Sequence, residues 1–313
     1  MEKPAVSVIM PAYNAEKYIG EAIESIRNQT FQDWELIIVE DCSTDNTLSV
    51  IETYLQDPRI KLFRNEQNVG IAGSRNKAIR LSSGKYIAVQ DDDDLSLPDR
   101  LEKQTAFLDT HTTISAVAGH WMMVDETGYQ VLRLMEAYRN PLYIKAHLLF
   151  SYGIGNGSAM FRRDFVLLNN LFYRENMLGM EDFFFWIEFS KVGLISAVDS
   201  IVYKHRRHSA QETERRLQTS EQERRTLYAW IQKESLRMSG ITLSPSASSA
   251  LERLAGEKTD PEIKAGDYVE LYEAFREIIN KAYALNLDYA NEIGIACRKF
   301  LGRKIANSKG FWR

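Results

Sequence analysis

The chain has 313 residues, of which 44% are hydrophobic and 26% are charged, proportions that are ordinary for a soluble globular protein. Its net charge of −4 argues against a general nucleic-acid binder. Its two cysteines, Cys42 and Cys297, are too far apart for a zinc-ligand spacing and too few for a disulfide framework, which favours a reducing compartment. The sequence has no secretory leader pattern and no apolar run long enough to span a membrane, so it predicts a cytoplasmic protein.

Strand-like and helix-like patterns alternate along the first third of the chain. The run Leu36–Val39 is apolar at every position, which is typical of a strand buried on both faces. Such alternation predicts a mostly parallel sheet with helices on both faces. The predicted strands are 6–10, 36–39, 60–63 and 86–89; the predicted helices are 18–26, 48–55 with Ser43 or Thr44 as its N-cap, 75–82, and one that follows Pro98.

The pattern is mixed from Ile114 to about His208 and becomes helical and charged beyond Gln211. It predicts strands at 116–124, 156–161 and 194–203, a helix at 183–192, and a loop or linker at 240–250. The predicted fold class is therefore α/β, a Rossmann-like, mostly parallel sheet flanked by helices, followed by an α-helical C-terminal extension. We predict two domains, residues 1–214 and 215–313.

Four consecutive aspartates, Asp91–Asp94, follow the predicted strand 86–89 and Gln90. Two unit charges about 4 Å apart repel by roughly 1 kcal/mol in water and by about 4 kcal/mol at an effective dielectric near 20. A solvated acidic turn or a bound cation would offset that repulsion. The run lies just past a strand, as does Asp41, and ligands bind at the carboxyl ends of parallel strands. Carboxylates there suit Mg²⁺ or Mn²⁺, which is commonly held together with substrate phosphates.

If the aspartate run is extended, Asp91 and Asp93 project to one face, and Asp92 and Asp94 project to the other. A single metal ion could not use all four carboxylates equally. The remaining ones would then serve sugar hydroxyls or backbone N–H groups.

Several motifs in order resemble glycosyltransferase family 2. They are VSVIMPAYNAEKYIGEAIESIRNQTFQDWELIIVEDCSTDNT, NEQNVGIAGSRNKAIRLSSGKYIAVQDDDDLSLPDRLEKQ, GMEDFFFWIEF and YKHRRHSAQ, and they cover roughly residues 5–210. The resemblance implies the GT-A fold and an inverting transfer of a sugar from a nucleotide donor to a hydroxyl acceptor. UDP-sugars are the expected donors, ahead of dTDP- and GDP-sugars, and Mn²⁺ or Mg²⁺ is the expected cofactor.

The resemblance also assigns binding roles by position. Asp41 would accept a hydrogen bond from N3–H of a pyrimidine base, and Arg75 would contact the base or the diphosphate. The family's usual form is DDGSTD, and here Glu40 and Cys42 replace its first aspartate and its glycine. The implied nucleotide-sugar-binding residues are Pro11, Ala12, Tyr13, Asp41, Arg75, Asp91, Asp92 and Arg206.

The implied metal ligands are Asp93, Asp91 and His208. The extra aspartate leaves the register of the DXD motif open by one residue, and His208 could instead be structural. For catalysis, Asp182 is the implied base that takes a proton from the acceptor hydroxyl. Glu181 is the alternative base. The alternative is that both are helix N-terminal carboxylates favoured by the macrodipole, a role that is compatible with catalysis.

The C-terminal segment 298–313 contains six basic residues and no acidic one, with aromatic residues interleaved. It predicts either peripheral contact with an anionic membrane surface or packing within its own domain or on another subunit. Membrane contact would suit an enzyme that acts at the inner face of the membrane on a glycan or a lipid-linked glycan, in the synthesis of a cell-surface polysaccharide. The sequence also leaves a homo-oligomer open.

Two other functions remain open at this stage. A sugar-phosphate nucleotidyltransferase would need a glycine-rich phosphate loop after the first strand, where this chain has PAYNAEKYIG. A non-catalytic nucleotide- or glycan-binding module would not need Glu181 and Asp182 together with the aspartate run. An NAD-dependent oxidoreductase is disfavoured because no G-x-G-x-x-G motif follows a strand.

Overall fold

The computed structural model describes residues 3–209, 211, 221–254 and 265–308. The chain divides into two compact units: residues 1–139, 154–176 and 192–211 form the first, and residues 140–153, 177–191 and 212–313 form the second. The predicted boundary between residues 214 and 215 lies outside the described residues and stays a prediction.

The first unit contains a mixed sheet of nine described strands: β1 (Val6–Ala12), β2 (Trp34–Glu40), β3 (Ile60–Arg64), β4 (Tyr86–Val89), β5 (Leu95–Ser96), β6 (Ile114–Val124), β7 (Val131–Met135), β8 (Met160–Arg162) and β9 (Leu194–Arg206). Their order in the sheet is β3-β2-β1-β4-β8-β6-β9-β5, with β7 paired to β6. Strands β3, β2, β1 and β4 are mutually parallel, and β6 is parallel to β9. The other pairings are antiparallel.

Helices accompany the sheet in the first unit and make up the described regular structure of the second. The helices of the first unit are α1 (Ile19–Arg27), α2 (Thr47–Glu52), α3 (Gly70–Leu81), α4 (Arg100–Thr110) and α6 (Arg163–Leu168), with a short 3₁₀ turn at Asn156–Ser158. The others are α5 (Pro141–His147), α7 (Glu181–Val192), α8 (Glu221–Met238), α9 (Pro245–Leu254), α10 (Ala265–Ala284) and α11 (Ala290–Ser308). The predicted α/β class with a helical C-terminal region is confirmed.

The core of the first unit lies between the parallel strands and α1. Every residue of β1 and β2 is buried, as their continuous apolar runs predicted. Helix α1 turns Ile19, Ala22, Ile23 and Ile26 inwards, at helical spacing. These side chains join the same apolar cluster as the sheet residues. The packing fixes β1, β2 and β4 side by side.

Two helix starts in the first unit differ from the sequence-based expectation. Helix α3 begins at Gly70 and not near Arg75, because the carboxylate of Asp41 accepts the backbone N–H groups of Val69 and Gly70. Helix α2 begins at Thr47, so neither Ser43 nor Thr44 is its N-cap. Asp45 accepts the Thr47 N–H at 2.9 Å instead.

Two further expectations were partly or wholly wrong. Residues 156–158 form the 3₁₀ turn, and only the end of the predicted strand 156–161 belongs to β8. The predicted loop at 240–250 contains the start of α9, with Pro245 at its first position. The hydroxyl of Ser244 lies 3.3 Å from the Ala247 N–H, and Glu277 accepts the Ser244 N–H.

The second unit has an aromatic interior. Helix α7 is apolar on almost every side, and its buried residues include Phe183, Phe184, Phe185, Trp186 and Phe189. The ring of Phe150 packs on Phe275 and Phe300, at centroid distances of 5.4 and 6.1 Å. Among the described residues, no helix combines the length and apolar character that crossing a membrane requires.

Candidate active site

Three neighbouring parallel strands bring their carboxyl ends to one edge of the sheet. Ala12 of β1 pairs with Glu40 of β2, and Ile9 of β1 pairs with Val89 of β4. The ladder continues past the strands, because the Asp41 N–H donates to the Ala12 carbonyl at 2.9 Å. Asp41 and the aspartate run therefore both begin at this edge, where parallel sheets bind their ligands.

Residues Asp91–Asp94 form a turn and not an extended segment, and the Asp94 N–H lies 3.4 Å from the Asp91 carbonyl. The division into two faces expected for an extended run therefore does not apply. Each carboxylate has a different partner. Asp91 accepts a hydrogen bond from Arg75 at 2.6 Å, and Asp92 accepts one from the Tyr13 N–H at 3.0 Å. Asp93 lies 2.9 Å from His208 Nε2, whereas Asp94 lies 3.1 Å from His205 Nδ1 and accepts the Arg206 N–H at 2.8 Å.

The turn concentrates negative charge, with Asp94 buried and the other three aspartates half-buried. Burial and the adjacent Asp93 carboxylate raise the pKa of Asp92 well above its usual range, although the Tyr13 N–H favours the ionised form. Burial also raises the pKa of Asp94 to about 6, while the His205 imidazole opposes that shift. Burial lowers the pKa of His205, but the Asp94 carboxylate outweighs this and raises it to about 9. A further cation at the turn would relieve this repulsion.

Asp93 and His208 are the two predicted metal ligands that the fold brings together. The imidazole is 8% exposed, its Nε2 faces Asp93, and its buried Nδ1 has no hydrogen-bond partner among the residues that the structure describes. In the described part of the chain, no group of three or more His, Cys, Asp or Glu side chains is arranged to hold a metal ion. Mg²⁺ is often held by one or two carboxylates together with substrate phosphates, so Asp93 fits a cation that shares a diphosphate, and the His208 imidazole would add a nitrogen ligand.

The carboxylate of Asp41 is buried and nearly saturated with protein donors. It accepts the Asn65 side-chain N–H at 2.7 Å and the backbone N–H groups of Val69 and Gly70 at 2.9 and 2.8 Å. A carboxylate offers about four lone-pair directions. One direction is left for a ligand donor, which is compatible with the N3–H contact expected from the sequence.

Arg75 lies on α3 and is held from two sides. Its guanidinium donates to Asp91 and lies over the ring of Tyr173, 5.3 Å from the centroid. Its side chain is only 5% exposed, compared with 25% for Asp91. Asp91 is thus engaged with an arginine, which leaves Asp93 as the metal ligand better supported by the geometry.

The tip of β1 presents one of its three predicted binding residues to solvent. Pro11 and Ala12 are buried within the strand, and Tyr13 is 39% exposed.

The backbone of Cys42, which follows Asp41, has a φ of 62°, a left-handed conformation that favours glycine. This explains why the family's usual form has a glycine at this position. The Cys42 thiol lies 3.3 Å from the Asn65 carbonyl.

Arg206 bridges several elements beneath the turn. Its guanidinium donates to the Asp93 carbonyl at 2.9 Å, the Glu126 carbonyl at 2.7 Å and the Glu21 carboxylate at 2.7 Å. The side chain is 1% exposed. This geometry supports a role in holding the turn, and the donor contact expected for Arg206 stays a prediction.

Glu181 and Asp182 occupy the first turn of α7, in the second unit. Glu181 is buried, Asp182 is half-buried, and an oxygen of Asp182 accepts the Phe183 N–H at 2.7 Å. Carboxylates at a helix N-terminus are stabilised by the macrodipole. The catalytic role of the pair stays a prediction.

Sequence reasoning did not assign a role to Gln90, Arg100 or Tyr203, and it ranked His205 below His208. The hydroxyl of Tyr203 accepts the Asp91 N–H at 3.2 Å, and His205 lies against Asp94. One signal was available, because Gln90 is a polar residue placed between a buried strand and the aspartates. The contacts of Tyr203 and His205 with the aspartates join positions more than 100 residues apart and leave no local pattern.

Comparison with known proteins identifies the family. The sequence model described as "Glycosyl transferase family 2" matches residues 7–167, which is just over half of the chain. The chain belongs to glycosyltransferase family 2. It is therefore a glycosyltransferase, and the nucleotidyltransferase, oxidoreductase and non-catalytic alternatives are set aside.

A named relative supports the same conclusion. The chain is 35% identical over 200 residues to the Escherichia coli protein named UDP-Glc:alpha-D-GlcNAc-diphosphoundecaprenol beta-1,3-glucosyltransferase WfgD, a match covering 64% of this chain and 75% of that protein. For other curated relatives, the matched part spans 50% to 67% of the relative's own length, and for two of them it spans only 28% and 29%.

Solved structures confirm the GT-A fold. The Staphylococcus aureus TarS fragment 1–349, solved with UDP-GlcNAc, matches with a TM-score of 0.62 at 19% identity, over 99% of this chain and 92% of that one. The mannosyltransferase PcManGT from Pyrobaculum calidifontis, solved with GDP-Man and Mn²⁺, matches with a TM-score of 0.54 at 17% identity, over 100% of this chain and 88% of that one.

Proposed function

We propose that this glycosyltransferase moves a sugar from a UDP-sugar to a hydroxyl of a lipid-linked glycan, with inversion at the anomeric carbon and with the help of Mn²⁺ or Mg²⁺. The observation that carries the proposal is the aspartate turn at the carboxyl ends of the parallel strands, with Asp93 facing His208. The named substrates of WfgD and the UDP-GlcNAc bound to TarS support the donor class.

The donor nucleotide is held at the edge formed by β1, β2 and β4. The exposed ring of Tyr13 and the remaining lone pair of Asp41 receive the base. Arg75, on α3, donates a hydrogen bond to Asp91 in the turn and orients this carboxylate towards the ribose or the diphosphate. Asp92 is held against the strand tip through the Tyr13 N–H.

Asp93 and His208 hold the divalent cation, which supplies electrostatic stabilisation of the departing diphosphate when bound. Mn²⁺ in the structure of PcManGT supports this class of cofactor. The protein's part is to keep the two ligands aligned. Asp93 is fixed through its carbonyl by Arg206, and the His208 ring packs against Tyr18 at a centroid distance of 4.5 Å.

Asp182 is the proposed general base, with Glu181 as the alternative. The carboxylate takes the proton of the acceptor hydroxyl while that oxygen bonds to the anomeric carbon. The bond from the anomeric carbon to the diphosphate breaks in the same step, and its electron pair leaves with UDP. A carboxylate suits the task because it is ionised at neutral pH and can accept one proton.

We place the enzyme in the cytoplasm, at the inner face of the membrane. Helix α11 supports this with three exposed cationic side chains, Arg298, Lys299 and Arg303. Phe300 is buried against Phe150 and Phe275, and Lys304 is also buried, so these two belong to the packing of the second unit. The membrane contact would therefore be electrostatic.

Co-sedimentation with vesicles tests this contact. The variant Arg298→Glu/Arg303→Glu keeps Phe300 in place, whereas truncation at residue 298 would remove it. Weaker binding of the variant to anionic vesicles, with unchanged low binding to neutral vesicles, is expected. Equal binding of both proteins to anionic vesicles would end the membrane proposal.

Turnover with a donor panel tests the proposed reaction. The protein is incubated with Mn²⁺, a synthetic GlcNAc-diphospholipid and UDP-, dTDP- or GDP-sugars, and nucleoside diphosphate release is measured. We expect release from one or more UDP-sugars, and a product whose anomeric configuration is opposite to that of the donor by NMR. Release from only a dTDP- or GDP-sugar would overturn the donor assignment, and a retained configuration would overturn the mechanism.

A further inference from the structure

The side chain of Gln90 lies directly beneath the aspartate turn and is completely buried. Its amide nitrogen donates to the carbonyl oxygens of Asp91 and Asp94, each at 3.0 Å. These two carbonyls belong to the first and last residues of the turn. One carboxamide group therefore ties both ends of the turn to the end of β4.

The orientation of the Gln90 carboxamide is set from its other side. Its oxygen accepts the Ser96 hydroxyl at 2.6 Å and lies 3.4 Å from a guanidinium nitrogen of Arg100. Both partners are donors, so the amide oxygen must face them. The amide nitrogen is then directed at the turn. If the carboxamide were flipped, its N–H groups would face the N–H donors of Arg100.

Arg100 is the second element of this arrangement, and it is a fully buried cation. Its hydrogen bonds go to neutral acceptors: the carbonyls of Val89 and Ala159, the side-chain oxygens of Gln90 and Gln104, and the Ser96 hydroxyl. The ring of Tyr203 packs against it, 5.1 Å from the centroid. All five donor positions of the guanidinium fork can be used in this way.

A buried guanidinium that makes hydrogen bonds only to neutral groups is unusual, because an uncompensated buried charge is costly. The charge of Arg100 is balanced at longer range by Asp91 and Asp94, whose carboxylates act on it. Burial lowers the pKa of Arg100 to about 10, which still leaves it charged at neutral pH. The cation thus lies in the interior beneath the turn, where it is fully buried.

We infer that Gln90 and Arg100 form a buried clamp that positions the aspartate turn, so that Asp93 is presented to the divalent cation and the diphosphate. Arg100 fixes Gln90, and Gln90 fixes the two ends of the turn. Both are positioning residues. The inference deepens the proposed function and rests on the metal and diphosphate site proposed for the same turn.

The same clamp reaches a second segment. Arg100 also donates to the Ala159 carbonyl, and Gln104 donates to the Ser158 carbonyl at 2.8 Å. These carbonyls lie at the end of the turn that begins at Gly155. Gly157 in this turn packs closely on Tyr203, because a Cβ at that position would lie 2.3 Å from the Tyr203 hydroxyl. The Arg100 guanidinium is therefore linked to both turns, to the aspartate turn through Gln90 and to the 155–159 turn directly.

The chain offers a matched control for Gln90. Gln29 is also a buried glutamine, and its carboxamide donates to the Ser25 and Leu97 carbonyls and accepts the Leu101 N–H. Gln29→Met and Gln90→Met each remove a satisfied, buried carboxamide. They differ in that only Gln90 contacts the aspartate turn.

Amide hydrogen exchange tests the clamp without any ligand. In Gln90→Met, the peptide spanning residues 90–96 should exchange faster than in the native protein by about fivefold or more, as expected when two buried hydrogen bonds are lost. In Gln29→Met, this peptide should exchange at the native rate after correction for any change in global stability. Equal exchange of the peptide in the native protein and Gln90→Met would overturn the clamp.

Binding of Mn²⁺ and UDP tests what the clamp is for. The Mn²⁺ concentration that gives half-maximal UDP binding should rise about tenfold in Gln90→Met, a size seen when groups behind metal ligands are removed. Gln29→Met should leave it unchanged, and so should the metal-independent part of UDP binding in both variants. Arg100→Lys should resemble Gln90→Met, because an ammonium keeps the charge and loses the fork.

The possible failures are distinguishable. If the native protein binds Mn²⁺ and UDP, and Gln90→Met has the native Mn²⁺ dependence, the positioning role is overturned and the proposed function stands. If the native protein binds neither, the proposed donor site fails, and hydrogen exchange alone decides whether the clamp holds the turn. If Arg100→Lys does not fold, Ser96→Ala replaces it, since it removes a donor to the Gln90 oxygen.

Discussion

Nε2 of His208 lies 2.9 Å from Oδ2 of Asp93, although 115 positions separate the two residues in the sequence. The contact depends on β5, a two-residue strand that directly follows the aspartate turn. Leu95 and Ser96 of β5 pair antiparallel with Lys204 and Tyr203 of β9. That short pairing brings the end of β9, with His205, and His208 just beyond it, over the turn.

His208→Ala should weaken the metal-dependent part of UDP binding. The variant removes one of two side chains that would hold the cation, so the Mn²⁺ concentration for half-maximal UDP binding should rise by about tenfold or more. Calorimetric titration of UDP at several Mn²⁺ concentrations measures this.

His120→Ala is the matched control for His208→Ala. His120 also lies near a carboxylate, with Nε2 3.1 Å from Asp199, but it is on β6, away from the aspartate turn. It should leave the Mn²⁺ dependence of UDP binding unchanged. Similar effects of the two substitutions would remove His208 from the metal site.

Asp182→Asn should lower kcat by about a hundredfold or more while leaving the UDP dissociation constant at its native value, because a general base acts only in the chemical step. The asparagine oxygen can still accept the Phe183 N–H, so α7 should keep its N-terminus. Sugar-transfer rates and UDP titrations separate the two effects.

Glu181→Gln provides the comparison. A native rate for Glu181→Gln together with a large loss for Asp182→Asn assigns the base to Asp182. The reverse pattern would move the assignment to Glu181, and native rates for both variants would exclude this pair from proton transfer.

Asp41→Asn should lower both the stability of the fold and the affinity for UDP. The carboxylate accepts the N–H groups that begin α3, and an amide can accept fewer hydrogen bonds, so a loss of about 1–2 kcal/mol in the free energy of unfolding is expected. The UDP dissociation constant should rise, since the remaining acceptor direction for the base is disturbed. Denaturant unfolding and calorimetry measure the two quantities.

Asp45→Asn separates stability from binding in this comparison. Asp45 accepts the Thr47 N–H at the start of α2 and also the Glu16 N–H, so its substitution should destabilise the fold in a similar way. It has no proposed contact with the nucleotide. An equal loss of UDP affinity in Asp45→Asn would show that Asp41 acts on UDP binding only through stability.

The strands at the centre of the sheet could be predicted from the sequence because burial on both faces leaves a continuous apolar run, as in Leu36–Val39. The place of the aspartates could be predicted for the same reason, since they follow such a run. The shape of the aspartate turn could not, because it depends on Arg206 and His205, whose contacts with Asp94 span more than 110 residues.

The predicted helix boundaries were wrong where the group that caps the helix comes from a distant part of the sequence. The start of α3 at Gly70 depends on Asp41, and the start of α9 at Pro245 is supported by Glu277 through Ser244. Neither acidic residue is close to its helix in sequence. The local pattern of residues 240–250, rich in serine and containing a glycine and a proline, therefore predicted a loop where a helix begins.

The second unit should lose stability below pH 6.5 through His147. Burial lowers the pKa of His147 to about 4, and the positive charge of Arg303 acts in the same direction. The unfolded chain then binds more protons than the folded one between pH 6.5 and about 4, so this contribution is complete above pH 6.5 and is lost as pH falls through that range, by up to about 3 kcal/mol.

The measurement for His147 is the melting temperature between pH 7.5 and 4.5 for the native protein and for His147→Gln. Glutamine can still donate to the Tyr152 carbonyl, which His147 Nε2 approaches at 3.1 Å, and it does not titrate. The native protein should lose more stability on acidification than the variant. Parallel pH profiles would contradict the assignment.

If Asp93 binds a divalent cation that helps to hold a nucleotide diphosphate, UDP binding must depend on that cation, and calorimetric titration of UDP with and without Mn²⁺ is the decisive experiment. The native protein should bind UDP with higher affinity when Mn²⁺ is present, and Asp93→Ala should abolish that gain while remaining folded. A gain that survives in Asp93→Ala would contradict Asp93 as the metal ligand, and the absence of any Mn²⁺-dependent gain in the native protein would contradict the metal-dependent UDP site itself.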